Sequence, residues 1–182
     1  MSSRTLSRTG ILFRRDPWLL FFYALAATQG GHFLEHIAQM IQIHALGIPG
    51  PAAHGVVGVL DIEWVHFIWN TAVLAVTLLL AVHYRENRWL AVTLVVAGWH
   101  EVEHAYIMGA FLTTGVAGTP GLLATGGALA GRLPLSRPDL HFLYNLVETA
   151  PLIMGFFRQV REGRRGVWSS LASAGRRPTA AA

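Results

Sequence analysis

The sequence predicts an all-α integral membrane fold, a four-helix bundle built from two tandem two-helix repeats related by a pseudo-twofold axis along the membrane normal. Three observations predict it. The 182-residue chain is 53% hydrophobic and 13% charged, with a mean hydropathy of +0.43, which is too apolar and charge-poor for an ordinary soluble domain. Four stretches, Trp18 to His44, Val57 to His83, Trp89 to Leu112 and Leu140 to Phe157, suffice to cross a hydrocarbon core of about 30 Å, which takes roughly 20 residues. The third observation is an internal repeat: His32, Glu35 and His36 spell H-x-x-E-H, and His100, Glu103 and His104 spell it again 68 residues on.

The first span follows Arg14 and Arg15. That flank, the apolar run to Ala27 and the small residues "ALAA" have features of a cleavable signal peptide, but the apolar pattern continues to Ile43. The reading is therefore a span that keeps its polar residues. After it comes the turn "GIPG" at Gly47, answered by "GTPG" at Gly118. The second span carries "HFIWN" from His66, answered in the fourth by "HFLYN" from His141. The offset grows along the chain from 68 to 75 residues, as insertions confined to loops would make it. The whole chain reads as one transmembrane domain, with repeat one at about 18–83, repeat two at about 89–157 and a basic cytoplasmic tail over 158–182. Between the third and fourth spans, residues 114–137 form a long, apolar, glycine-rich connection, read either as a re-entrant lid or as an external loop.

No lysine occurs, and all 14 cationic side chains are arginines. Arg4, Arg8, Arg14 and Arg15 precede the first span, Arg85 and Arg88 lie between the second and third, and Arg158, Arg161, Arg164, Arg165, Arg176 and Arg177 follow the fourth. Only Arg132 and Arg137 fall on the other side. The positive-inside bias puts both termini in the cytoplasm. Beside a span, the basic tail reads as an anchor at anionic headgroups rather than as a nucleic-acid site. Zero cysteine excludes disulfides, thiolate metal sites, iron-sulfur clusters and cysteine nucleophiles.

Residues at i, i+3, i+4 and i+7 share a helix face. His32, Glu35 and His36 therefore share one, as do His100, Glu103 and His104. Glu63, His66 and Asn70 form a third stripe, and His141, Asn145 and Glu148 a fourth. Counted at 1.5 Å per residue, His32 to His36 lie about 21–27 Å into the first span, His100 to His104 roughly 17–23 Å into the third, and His66 and His141 about 25 Å from the cytoplasmic end. All four stripes meet in the outer half of the bilayer. Ionisable groups there are costly, and they point inward to a functional site.

Bundle cores hold two-metal centres with inward carboxylates and Glu-x-x-His pairs, and Glu63-x-x-His66 has that spacing. The sequence thus assigns His32, His36, His66, His100, His104 and His141 as metal ligands, with Glu35 and Glu103 as bridging ligands or as acceptors orienting imidazole N–H groups. Glu63 and Glu148 break the repeat and are assigned proton-handling or substrate-side catalytic roles. Imidazole and carboxylate suit iron, copper or zinc over magnesium or calcium. Iron is the leading choice. Asn70 and Asn145 are read as ligands or as interhelical hydrogen-bonding groups, Glu101 as flanking the stripe, His54 and Asp61 as lining an entrance, and Pro151 as a kink beside the site.

The leading expectation is a membrane oxidoreductase with two transition-metal ions, acting on a lipophilic or gaseous substrate from the bilayer. The chain has no dinucleotide fingerprint, so an external donor would supply electrons. The alternatives are a zinc-dependent hydrolase or isomerase, a copper or zinc carrier or sensor, and last a haem b electron carrier.

Overall fold

The computed structural model describes residues 16–129 and 133–174. Arg4, Arg8, Arg14, Arg15, Arg132, Arg176, Arg177 and the end of the basic tail lie outside the described residues. Four α-helices follow one another, α1 Pro17–Met40, α2 Glu63–His83, α3 Arg88–Thr114 and α4 Arg137–Ala174, with no strand among the described residues. Helix α1 packs on α2 and α4, and α3 on α2 and α4, closing a ring whose sparsest seam lies between α1 and α2.

Local chemistry sets the boundaries. Asp16 caps α1 by accepting from Trp18 N–H at 3.1 Å, with Pro17 in the first turn. The other Asp16 oxygen accepts from the Tyr84 hydroxyl at 2.8 Å, joining the start of α1 to the end of α2. Burial, followed by that carboxylate, pushes the Tyr84 phenol above its ordinary pKa. Past Met40 the helix widens into a π turn, Ile41–Ala45, a form that recurs beside functional sites.

Helix α2 begins six residues after Val57, where hydropathy alone starts it. The preceding segment instead makes two short 3-10 turns, Gly50–Ala52 and Gly58–Leu60. Gly55 stands at φ +73°, and the Val57 N–H donates to the Glu35 carboxylate. Helix α3 ends at Gly115, whose left-handed φ of 71° lets its N–H close on the Phe111 carbonyl. Helix α4 begins where Ser136 Oγ accepts from Asp139 N–H at 3.4 Å. It passes through Pro151 without interruption and runs beyond Phe157, aided by an Arg158–Glu162 pair at 2.8 Å.

The interior is layered along the bundle. One end is apolar, with Phe22, Leu25, Val73, Leu80, Leu90 and Leu152 in one cluster. Above it lies a polar layer centred on Gln29, which is fully buried. Gln29 Nε2 donates to Asn145 Oδ1 at 3.1 Å and to Thr149 Oγ1 at 3.3 Å, while Gln29 Oε1 accepts from Trp69 Nε1 at 2.8 Å. Next comes the histidine layer, then the loops, where Ala124 packs with Leu140 and Tyr144. The outer surface is apolar over every helix, with Phe21, Leu34, Ile68, Val95 and Met154 exposed. Two helical segments, Glu63–His83 and Arg137–Arg165, are long and apolar enough to cross a membrane.

Candidate metal centre

The four polar stripes converge. His32 and His36 from α1, His66 from α2 and His141 from α4 bring one ring nitrogen each within 4.8 Å of one another. His100 and His104 from α3 do the same with His141. His141 belongs to both groups, and its ring centroid lies 4.5 Å from that of His36, 5.2 Å from His66, 4.9 Å from His100 and 4.8 Å from His104.

Three of these rings have Nδ1 held by an acceptor outside the cluster. His36 Nδ1 lies 3.3 Å from Gln39 Oε1, His66 Nδ1 lies 3.1 Å from the Ile62 carbonyl, and His100 Nδ1 lies 2.8 Å from Glu148 Oε2. A carbonyl or amide oxygen can only accept, so Nδ1 of His36 and of His66 carries a proton, and in all three rings Nδ1 faces its outside partner while Nε2 turns inward. Inward-facing Nε2 atoms meet other ring nitrogens. His36 Nε2 is 3.1 Å from His32 Nε2, and His100 Nε2 is 3.2 Å from both His104 Nε2 and His141 Nδ1. Inward lone pairs backed by fixed N–H acceptors are how proteins present imidazole to a metal ion. Further atoms at this level, among them His141 Nε2, Glu148 Oε1, Glu103 Oε2 and Asn70 Oδ1, are buried with no hydrogen-bond partner among the described residues, and a cation would satisfy the first three.

The carboxylates assigned from the sequence take various positions. Glu148 is fully buried, and its Oε2 orients His100. Glu35 and Glu103 turn from the imidazoles to the loops: Glu35 accepts from Val57 N–H, and Glu103 from Leu122 N–H at 2.8 Å. Glu63 is clamped by Arg137 in a two-pronged pair, at 2.8 Å from Nη1 and 2.6 Å from Nη2, and accepts from Gly118 N–H at 3.0 Å. Asn70 and Asn145 each donate one turn back, to the carbonyls of His66 and His141, at 2.9 and 3.0 Å. Glu101 lies off the stripe, accepting from Thr71 of α2 at 2.7 Å.

Gln29, Gln39 and Arg137 were not singled out as site residues in the sequence. The helix face carried the signal for the two glutamines, since Gln29 stands three residues before His32 and Gln39 three after His36. Gln39 also donates to the Ala53 carbonyl at 2.7 Å, tying the first loop to a histidine.

A cavity of about 320 Å³ reaches the first group through the sparse α1–α2 seam. His32, His36, His66, Val65, Leu60 and Trp69 line it, and His54 and Asp61 also border it. His54 Nδ1 lies 2.8 Å from one Asp61 oxygen, and His66 Nε2 lies 3.8 Å from the other. The second group is closed: His100 and His104 are 0% and 1% exposed. Comparison with protein families, curated proteins and solved structures finds no match to this chain.

Proposed function

We propose that this protein is a multi-pass membrane metalloenzyme, an oxidoreductase whose two transition-metal ions sit among the six histidines and act on a small lipophilic or gaseous molecule. The observation that carries the reading is the inward set of imidazole lone pairs, fixed from behind by Gln39, the Ile62 carbonyl and Glu148. The donor set, six imidazoles with no thiolate, suits iron, copper or zinc.

The apolar outer surface and the arginine placement support insertion with both termini cytoplasmic. Parallel bonding in the two halves supports a duplicated hairpin: Asn70 and Asn145 bond alike, and Glu35 and Glu103 each accept from the following loop. The cavity between α1 and α2 offers a small molecule a way to His32 and His66, past Val57, Leu60, Val65 and Trp69. Bound metal would supply redox chemistry there. The chain itself orients three of the imidazoles through outside partners, admits the substrate at one group and shields the other, with electrons reaching it from an external donor.

Elemental analysis of the detergent-purified protein, with its optical spectrum, tests the reading. About two iron or copper atoms per chain and no Soret band are the expected result. Zinc would transfer the same site to hydrolytic or carrier chemistry, a Soret band would make it a haem site, and absence of metal would overturn it.

A further inference from the structure

We propose that His141 bridges the two metal ions, binding one through Nδ1 and the other through Nε2. This rests on the metal-centre reading above and adds how its two halves are joined. His141 is the one histidine common to both ligand groups. Its Nδ1 stands 3.2 Å from His100 Nε2, on the α3 side. Its Nε2 is buried and has no hydrogen-bond partner among the described residues, and the ring centroids of His36 of α1 and His66 of α2 stand 4.5 and 5.2 Å from that of His141.

The comparison with His66, its counterpart in the repeat, decides the point. His66 also lies near both groups, with ring centroids 5.8 Å from His36 and 5.9 Å from His104. Its Nδ1, however, is committed to the Ile62 carbonyl at 3.1 Å, so only Nε2 can bind an ion. His36 and His100 are committed in the same way, through Gln39 and Glu148. His141 has no partner outside the histidines on either nitrogen, its Nδ1 meeting only His100 Nε2 and its Nε2 none, and its ring stands within 5.2 Å of four others. With the bridge, the open group at the cavity has four imidazoles and the closed group three, with the unpartnered Glu148 Oε1 close behind His100.

The step balances without an oxidant. Neutral His141 binds the first ion through its lone pair. Binding the second breaks the remaining ring N–H bond, forms the second metal–nitrogen bond and releases one proton to solvent. The imidazolate then couples the two ions electronically, so the closed ion can exchange electrons with the one that meets substrate.

Copper(II) is the probe. The full-length protein is stripped with a chelator in detergent, loaded with copper(II), and its integrated electron paramagnetic resonance intensity is compared with the copper bound. The bridge predicts two copper ions per chain and, at low temperature, an intensity deficit of about twofold or more, because the imidazolate pairs the spins. His141→Ala should retain copper and recover the full intensity per ion. His32→Ala, which removes a ligand but leaves the bridge, should keep the deficit when copper is supplied in excess. Two copper ions at full intensity in the unaltered protein would overturn the bridge and leave the metal centre standing. A deficit that survives in His141→Ala would assign the bridge to another group. Failure to bind copper at all would overturn the centre and the bridge together. The measurement on the unaltered protein decides the matter even where His141→Ala does not fold.

Discussion

Gly55 and Gly121 do matching work in the two loops. Both have positive φ, +73° and +82°, and a Cβ on either would collide with a glutamate, Glu35 at Gly55 and Glu103 at Gly121. Those glutamates accept the loop N–H groups of Val57 and Leu122, so each H-x-x-E-H motif folds down the loop that follows it. Gly121→Ala should lower stability by about 1–3 kcal/mol from backbone strain alone, with the Glu103 carboxylate displaced as well. Gly98→Ala, in helical backbone with no neighbour within 4 Å of its added Cβ, should be neutral or stabilising by up to about 1 kcal/mol. Thermal unfolding of the two variants in one detergent checks the pair, and equal losses would dismiss the role given to the glycine. At this scale the histidines were readable from spacing, because i and i+4 on a helix must share a face. The partners of the glutamates were not. A helix face says which way a carboxylate points, whereas its hydrogen-bond donor depends on loop geometry that no periodicity encodes.

Hydropathy located all four helices but misplaced some of their ends, and the reason is local in each case. The stretch 57–62 is apolar enough to read as helix, yet the Glu35 contact and Gly55 hold its start in a turn. The end of α4 was set too early, since Arg158 and Glu162 pair along the helix and carry it past the apolar run. The 114–137 connection, read as lid or loose loop, is anchored in its described part: Leu122 and Ala124 are buried, and Gly118 bonds to Glu63. Arg137 locks that arrangement, joining the first turn of α4 to the first turn of α2 through Glu63. Arg137→Ala leaves a buried carboxylate with one donor. The pair is partly screened by solvent at the arginine, so the loss should be about 1–3 kcal/mol, below that of a fully buried pair. The double variant Glu63→Gln with Arg137→Ala should recover part of it, and the histidine cluster should still hold its metal in both. A double-mutant cycle on unfolding, read beside metal content, tests this. Metal loss on breaking the clamp would move Glu63 back toward the site.

For the molecule as a whole, the proposed membrane setting gives the polar layers and the apolar surface the same origin. Helices in a bilayer gain little from burying leucine against leucine, so association depends on close packing and on interhelical hydrogen bonds worth about 0.6–2 kcal/mol each. The Gln29 network, linking α1 with α2 and α4 just below the histidines, is placed to supply them. This inside-out polarity demands a defined orientation. With cytoplasmic termini, the Gly50–Leu60 loop and the Gly115 loop face outward, and the α2–α3 turn, with Arg85 and Arg88, faces inward. The chain has no cysteine, so single cysteines introduced at exposed sites report their side without background. Val59 and Val116 are 81% and 63% exposed, and Glu86 in the turn is also exposed. In intact cells, a membrane-impermeant maleimide should label Val59→Cys and Val116→Cys, and should label Glu86→Cys only after permeabilisation. The reverse pattern would place the histidine layer in the cytoplasmic half. Labelling of all three in intact cells would remove the bilayer from the account, and with it the lateral substrate route proposed to His32 and His66.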